Sequence, residues 1–217
     1  MKNKKTMNRF TTLTTASALL ATAGLNGVGA IRGRKEYVAA NGLSGAILLI
    51  AFFHYLRLLR GATLNQNNID LVRHSDWLLT CPLLVVELAL LLRGRVEPAR
   101  AGLAAAASAA MVGFGLAARR SSPGTPQQVA LWAAGAGMLA VVMAALLSGR
   151  KKKRRKRESA RWGLLFLLLW VPYGVVFWAP ASVRNPVYNV LDMVSKAGLG
   201  AVLFALSTQP VIRSRHV

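Results

Sequence analysis

The chain has a single cysteine, Cys81, so no internal disulfide can staple it. It is also short of acid, with 7 Asp plus Glu against 28 Lys plus Arg and a formal net charge of +21. Charged residues together make up 16%, below the roughly 25% of an ordinary soluble domain. With 54% of its residues apolar, the chain has far more hydrophobic surface than a disordered one. The strong positive charge would suit a nucleic-acid partner, so the placement of the basic residues has to decide that question.

A membrane-spanning helix needs about 20 largely apolar residues. Seven segments qualify, near 10–31, 38–59, 72–92, 99–118, 128–148, 162–180 and 187–208. They use most of the chain, so the expected fold is an all-α membrane protein, a seven-transmembrane-helix bundle forming a single domain over 1–217. The connections are short, and residues 119–126 (Arg-Arg-Ser-Ser-Pro-Gly-Thr-Pro) have turn chemistry. The first segment follows Lys2, Lys4, Lys5 and Arg9 and is rich in Thr and Gly. It reads either as a signal peptide or as a first helix.

The basic residues follow the connections. With the N-terminus outside, the inner connections carry Arg32, Arg34 and Lys35, then Arg93, Arg95 and Arg100, then residues 150–157 with Arg161, then Arg213 and Arg215. The outer ones carry Lys2, Lys4, Lys5, Arg9, Arg57, Arg60, Arg119, Arg120 and Arg184. The inner side holds roughly twice as many, which predicts an outside N-terminus and a cytoplasmic C-terminus. The basic N-terminus counts the other way. The run at 151–157 has the composition of a nucleic-acid patch. Beside two spans it reads better as a topology anchor facing anionic lipid headgroups, so the partner expected is the membrane and not nucleic acid.

Charges within the spans are the exceptions that point to function. A central Asp or Lys costs at least about 2.5–3.5 kcal/mol on insertion scales. Five such residues stand out: Arg73, Asp76 and Glu87 in the third span, and Asp192 and Lys196 in the seventh. Asp192 and Lys196 are four residues apart and share a helix face. Arg73, Asp76, Thr80 and Glu87 fall on one stripe of the third helix. Asp76 and Glu87 are separated by about 16 Å along its axis, one toward each side of the membrane. A lone intramembrane ion pair could serve helix packing. A lysine with two nearby carboxylates and a third a few turns away points to chemistry.

A lysine shielded from water is a nucleophile suited to condensing with an aldehyde. The product is a fixed buried cation that needs counterions, which Asp76 and Asp192 can supply. A trigger that weakens this pairing would let a proton pass to Asp76, and Glu87, in a drier setting, could resupply it. No metal-ligand cluster, nucleophilic triad or phosphate loop stands in the sequence, so no enzyme is expected.

At these residues the chain resembles the microbial rhodopsins. Arg73-His-Ser-Asp-Trp-Leu-Leu-Thr-Cys-Pro-Leu-Leu-Val-Val-Glu87 resembles their third-helix signature, and Asn189-Val-Leu-Asp-Met-Val-Ser-Lys196 their retinal-binding seventh helix. Trp170-Val-Pro-Tyr173 is similar to the sixth-helix pocket motif, and Ala51-Phe-Phe-His-Tyr55 to the second-helix histidine motif. The triplet Asp76, Thr80 and Glu87 is that of the proteorhodopsin and xanthorhodopsin branch. Placing His54 on helix two makes residues 10–31 helix one, which disfavours a cleaved signal.

The resemblance implies a light-driven outward proton pump in a plasma (inner) membrane. Lys196 would bind all-trans retinal as a protonated Schiff base. Asp76 would be proton acceptor and main counterion, Asp192 the second counterion, and Glu87 the cytoplasmic proton donor. Arg73 would hold the extracellular charge network, Thr80 would hydrogen-bond within the polar stripe, and His54 would pair with Asp76. Trp77, Leu84, Trp170 and Tyr173 would line the chromophore, with Leu84 at the position where Leu accompanies green absorption. Trp132 and Met138 would join them from the fifth helix. A carotenoid antenna and assembly into homo-oligomers also go with this branch.

Three departures qualify the match. Pro172 precedes Tyr173 where relatives usually place proline just after it. His74 replaces a common aromatic beside the arginine. The loop between the sixth and seventh spans holds Arg184 and no carboxylate, so a proton-release pair is not expected there. A photosensor signalling through a partner is the competing reading, and Glu87 argues against it because such proteins often lack the carboxylate donor. Chloride pumping normally requires a neutral residue in place of Asp76, and sodium pumping an Asn-Asp-Gln triplet. A retinal-free transporter using the same charges would leave cells colourless.

Overall fold

The computed structural model describes residues 8–61, 64–93, 98–147 and 153–209. Among them every regular element is helical. The helices are α1 (Arg9–Arg32), α2 (Val38–Arg60), α3 (Gln66–Arg93), α4 (Pro98–Arg120), α5 (Pro126–Leu147), α6 (Lys153–Val176) and α7 (Ala181–Thr208). A 3₁₀ turn, Lys35–Tyr37, leads into α2. The bundle closes as a ring in chain order: each helix packs on its neighbours, and α7 returns to α1 and α2.

Local chemistry marks the helix ends. The Asn8 side chain accepts a hydrogen bond from the Thr11 N–H and caps α1. Pro98 and Pro126 open α4 and α5, where a missing N–H costs nothing. The turn before α5 uses Gly124 at φ +76°, a conformation side chains resist. Of the basic run at 150–157, residues 150–152 lie outside the described residues, as do Arg95, Arg213 and Arg215; the remainder of the run opens α6.

Two helices begin before their apolar segments. α3 starts at Gln66 and α7 at Ala181, ahead of the expected 72 and 187. The added turns carry Gln66, Asp70, Arg184 and Asn185, which bond to one another across the bundle. Arg184 therefore lies in the first turn of α7, buried against Asp70, and not in an exposed outer loop. Hydropathy stops short at such residues because it cannot register polar groups that satisfy each other.

The burial pattern is that of a protein in lipid. Phe10, Ile31, Leu168 and Val175 face outward, whereas Arg73, Asp76, Glu87, Asp192 and Lys196 are sealed inside. Among the described residues, five helical stretches are long and apolar enough to cross a membrane: Lys35–Arg60, Gln66–Leu91, Pro98–Arg120, Pro126–Leu147 and Ala181–Thr208. In α6 the apolar stretch is Leu164–Val176. α1 is more polar because Thr12, Thr15, Thr22 and Asn26 point into the bundle.

α7 is not a uniform α-helix. Met193–Gly198 forms a π-helical segment that contains Lys196. Such segments shift side chains around the helix axis and recur at functional sites. Just beyond it, α7 comes very close to α1 and α2. A Cβ on Gly200 would lie 2.9 Å from Asn26 Nδ2 and 3.0 Å from Ser44 Oγ. Gly200→Val should therefore destabilise the bundle by about 1–3 kcal/mol through overpacking, read as a lower melting midpoint of the detergent-solubilised protein.

Candidate functional site

The site is built around Lys196, which is only 2% exposed. Its Nζ donates to Asp76 Oδ2 at 2.6 Å and lies 3.5 Å from Asp192 Oδ1. The two carboxylates differ in their other partners. Asp192 accepts hydrogen bonds from the Tyr55 hydroxyl at 2.8 Å, the Tyr173 hydroxyl at 2.9 Å and the Trp77 indole at 3.1 Å. These donors come from α2, α6 and α3, so four helices meet on one carboxylate. Asp76 has far less support. Its Oδ1 is buried without a hydrogen-bond partner, and His54 Nδ1 stands 4.0 Å away.

That His54 nitrogen is 2.9 Å from the Ile50 carbonyl, which only an N–H can serve. Its proton is thus directed to the backbone, and its interaction with Asp76 is electrostatic and not a hydrogen bond. Thr80 Oγ1 donates to the Asp76 carbonyl at 2.9 Å, one turn back on α3. The stripe of Arg73, Asp76, Thr80 and Glu87 is buried along its whole length.

On one side of the lysine the polar groups continue. Arg73 donates to Asn189 Oδ1 at 2.5 Å and to the Asn185 carbonyl at 3.2 Å. Asn189 in turn donates to Thr11 and Thr12 on α1, each at 2.9 Å. Beyond lies Asp70, which accepts from Gln66 at 2.8 Å and from Arg119 at 3.3 Å, with Arg184 at 3.6 Å. On the other side the surroundings are dry. Ile47, Leu84 and Leu88 belong to the main apolar core. Glu87 lies in this half, 1% exposed, with no hydrogen bond of ordinary geometry to either carboxyl oxygen. The Ser44 hydroxyl of α2 is close enough to act on it.

A cavity of about 300 Å³ runs from Lys196 between α3, α4, α5 and α6. Trp77, Leu84, Trp132, Trp170 and Tyr173 line it, together with Lys196 and Asp192. Met138 does not line it. Met138 packs against the core, and Leu139, one residue on and about 100° around α5, faces the cavity with Trp132. Pro172 stays within α6 and leaves both Trp170 and Tyr173 on the cavity wall. His74 lines it too, with Nδ1 2.7 Å from the Asp70 carbonyl.

Sequence reasoning overlooked Tyr55, Asn189 and Asp70 as site residues. Tyr55 closes the second-helix motif and Asn189 opens the seventh-helix one, and their polar atoms inside apolar spans were the available signal. Asp70 stood outside the expected third span and gave no signal of burial.

The sequence matches the family model described as Bacteriorhodopsin-like protein over residues 5–209. A comparison with curated proteins finds no match. Among solved structures, viral rhodopsin OLPVRII is 22% identical with a TM-score of 0.82, covering 91% of this chain and 96% of its own. Xanthorhodopsin, described as a light-driven ion pump with dual chromophore, is 20% identical with a TM-score of 0.76, covering 92% and 91%. A light-driven proton pump from Leptosphaeria maculans is 21% identical with a TM-score of 0.77, covering 95% and 97%. Identities this low speak for the fold alone, but the family match spans nearly the whole chain: it belongs to the bacteriorhodopsin-like family and is a microbial rhodopsin.

Proposed function

We propose that the protein is a light-driven pump that moves protons out of the cell. The observation that carries this reading is the unequal placement of carboxylates about Lys196. Asp76 touches the lysine and keeps an unpartnered oxygen, while Glu87 waits in the dry half of the bundle. Orientation follows from the positive-inside rule, with the Arg73 side outward and the Glu87 side toward the cytoplasm. The membrane would be a plasma (inner) membrane. The protein would act as a transporter and not as an enzyme.

Family membership implies retinal, and the residues present fit it. The cavity is walled by aromatic and aliphatic side chains and has a buried amine in its lining. Lys196 would hold the chromophore through Nζ, with Trp77, Trp170 and Tyr173 fixing its position. When bound, retinal supplies absorption of visible light and a light-driven change of shape.

The remaining work falls to the protein's own groups. Asp192, held by three neutral donors, keeps the lysine nitrogen oriented. Asp76 has an oxygen available, so a proton leaving the lysine nitrogen goes there. Arg73, tethered to Asn189, stabilises the negative charge on the outer side until that transfer. Glu87 keeps a proton in reserve behind the apolar layer of Ile47, Leu84 and Leu88 and returns it to the lysine nitrogen. The dry layer stops the proton from leaking back between strokes.

Illuminated cells expressing the protein with all-trans retinal should acidify an unbuffered medium, and a protonophore should abolish the change. Coloured cells without a pH change would overturn pumping. Lys196→Ala should remove the visible absorption band, because among the described residues no other lysine lies in the cavity wall. Glu87→Gln should keep the band but slow recovery of the dark state by about 10²-fold or more, the usual scale of a lost proton-transfer group. Flash spectroscopy reads both.

A further inference from the structure

The half of the bundle around Glu87 contains a second set of buried polar groups. They lie between α1, α2 and α7 and descend one turn at a time. At the level of Glu87 and Ser44, Asn26 of α1 donates through Nδ2 to the Gly200 carbonyl at 3.1 Å and to the Thr22 carbonyl at 3.0 Å. One turn further, Asn41 of α2 donates to the Tyr37 carbonyl at 3.0 Å and lies against Gly29 of α1, where a Cβ would collide with its amide. At the bundle end, the Ser207 hydroxyl sits beside Gly33, and the Ser207 carbonyl accepts from the Arg34 N–H at 3.0 Å.

Asn26, Asn41, Ser44 and Ser207 are all buried. Packing explains only part of this arrangement. The Nδ2 of each asparagine serves backbone carbonyls, which only an N–H can do, so the orientation of both amides is determined. Each Oδ1 is then left buried and without a partner. Amides kept solely as glue between helices would have both ends satisfied. A line of free acceptors leading from the bundle end to a carboxyl group suits a different task, because each oxygen can receive a hydrogen bond from a passing water or hydronium ion.

We propose that Asn41, Asn26 and Ser44 form the route by which protons reach Glu87 from the bundle end that carries Gly33 and Ser207. The route rests on the reading of Glu87 as a proton-holding donor. These three are positioning residues: they offer hydrogen bonds to the proton carrier and take no part at the lysine. Gly29 and Gly200 belong to the route as well, since a side chain at either would press on its amides.

The test uses the full-length protein in the dark, where exchange of the Glu87 proton can be followed without photochemistry. On transfer to heavy water, the infrared carbonyl band of a protonated carboxyl shifts as its proton exchanges. The band that disappears in Glu87→Gln identifies Glu87. Asn41→Leu should slow its exchange by about tenfold or more, the scale of one lost hydrogen bond. Ser108→Ala, on α4 with its hydroxyl bonded to its own helix, should leave the rate unchanged.

A purely structural asparagine would act in the opposite sense, since loosening the packing speeds exchange or leaves it alone. Should Asn41→Leu fail to fold, Asn41→Val makes the same apolar block with a smaller side chain. An unchanged or faster rate in the apolar variant overturns the route while leaving Glu87 as donor. If no carboxyl band is lost in Glu87→Gln, the donor reading falls and the route falls with it.

Discussion

The placement of Asp192 governs the architecture. A carboxylate deep in a bilayer-spanning bundle is costly unless every lone pair is answered. Here Tyr55, Trp77, Tyr173 and Lys196 answer it from α2, α3, α6 and α7. The arrangement requires those helices to present specific side chains at one depth, and it holds the lysine in the cavity wall. The π-helical segment around Lys196 belongs to the same constraint, because it sets the direction in which the lysine leaves α7.

From that centre the two halves of the bundle diverge. Toward the Arg73 end the interior is a connected network running through Asn189 to the threonines of α1. Asp70, Arg119 and Arg184 then join α3, α4 and α7 near the surface. Toward the Glu87 end the interior is apolar, and the polar groups that remain are widely spaced and partly unpartnered. A proton placed on Asp76 therefore faces a chain of polar groups on one side and a dry layer on the other. In the proposed pump, direction would come from that difference in surroundings more than from any single residue.

Much of this was legible beforehand. The polar stripe of α3 follows from helical spacing alone, and the Asp192–Lys196 pair from a separation of four residues. Other features were not legible. Met138 and Leu139 are both apolar, and only the rotation of α5 decides which one faces the cavity. Asp70 and Arg184 read as loop residues because hydropathy scores each position by itself, whereas their burial depends on each other.

The sequence by itself determined that the chain is a membrane bundle, that Arg73, Asp76, Glu87, Asp192 and Lys196 lie within its spans, and their order along two helices. These properties depend on local composition and on the fixed rise and turn of a helix. Tertiary structure alone decided that Asp192 is held by three neutral donors while Asp76 keeps a free oxygen. It also decided that Asn26 and Asn41 are buried, with the Asn26 amide donating across to the Gly200 carbonyl of α7. The first of these depends on the distance between groups on different helices, which is set by how the helices pack.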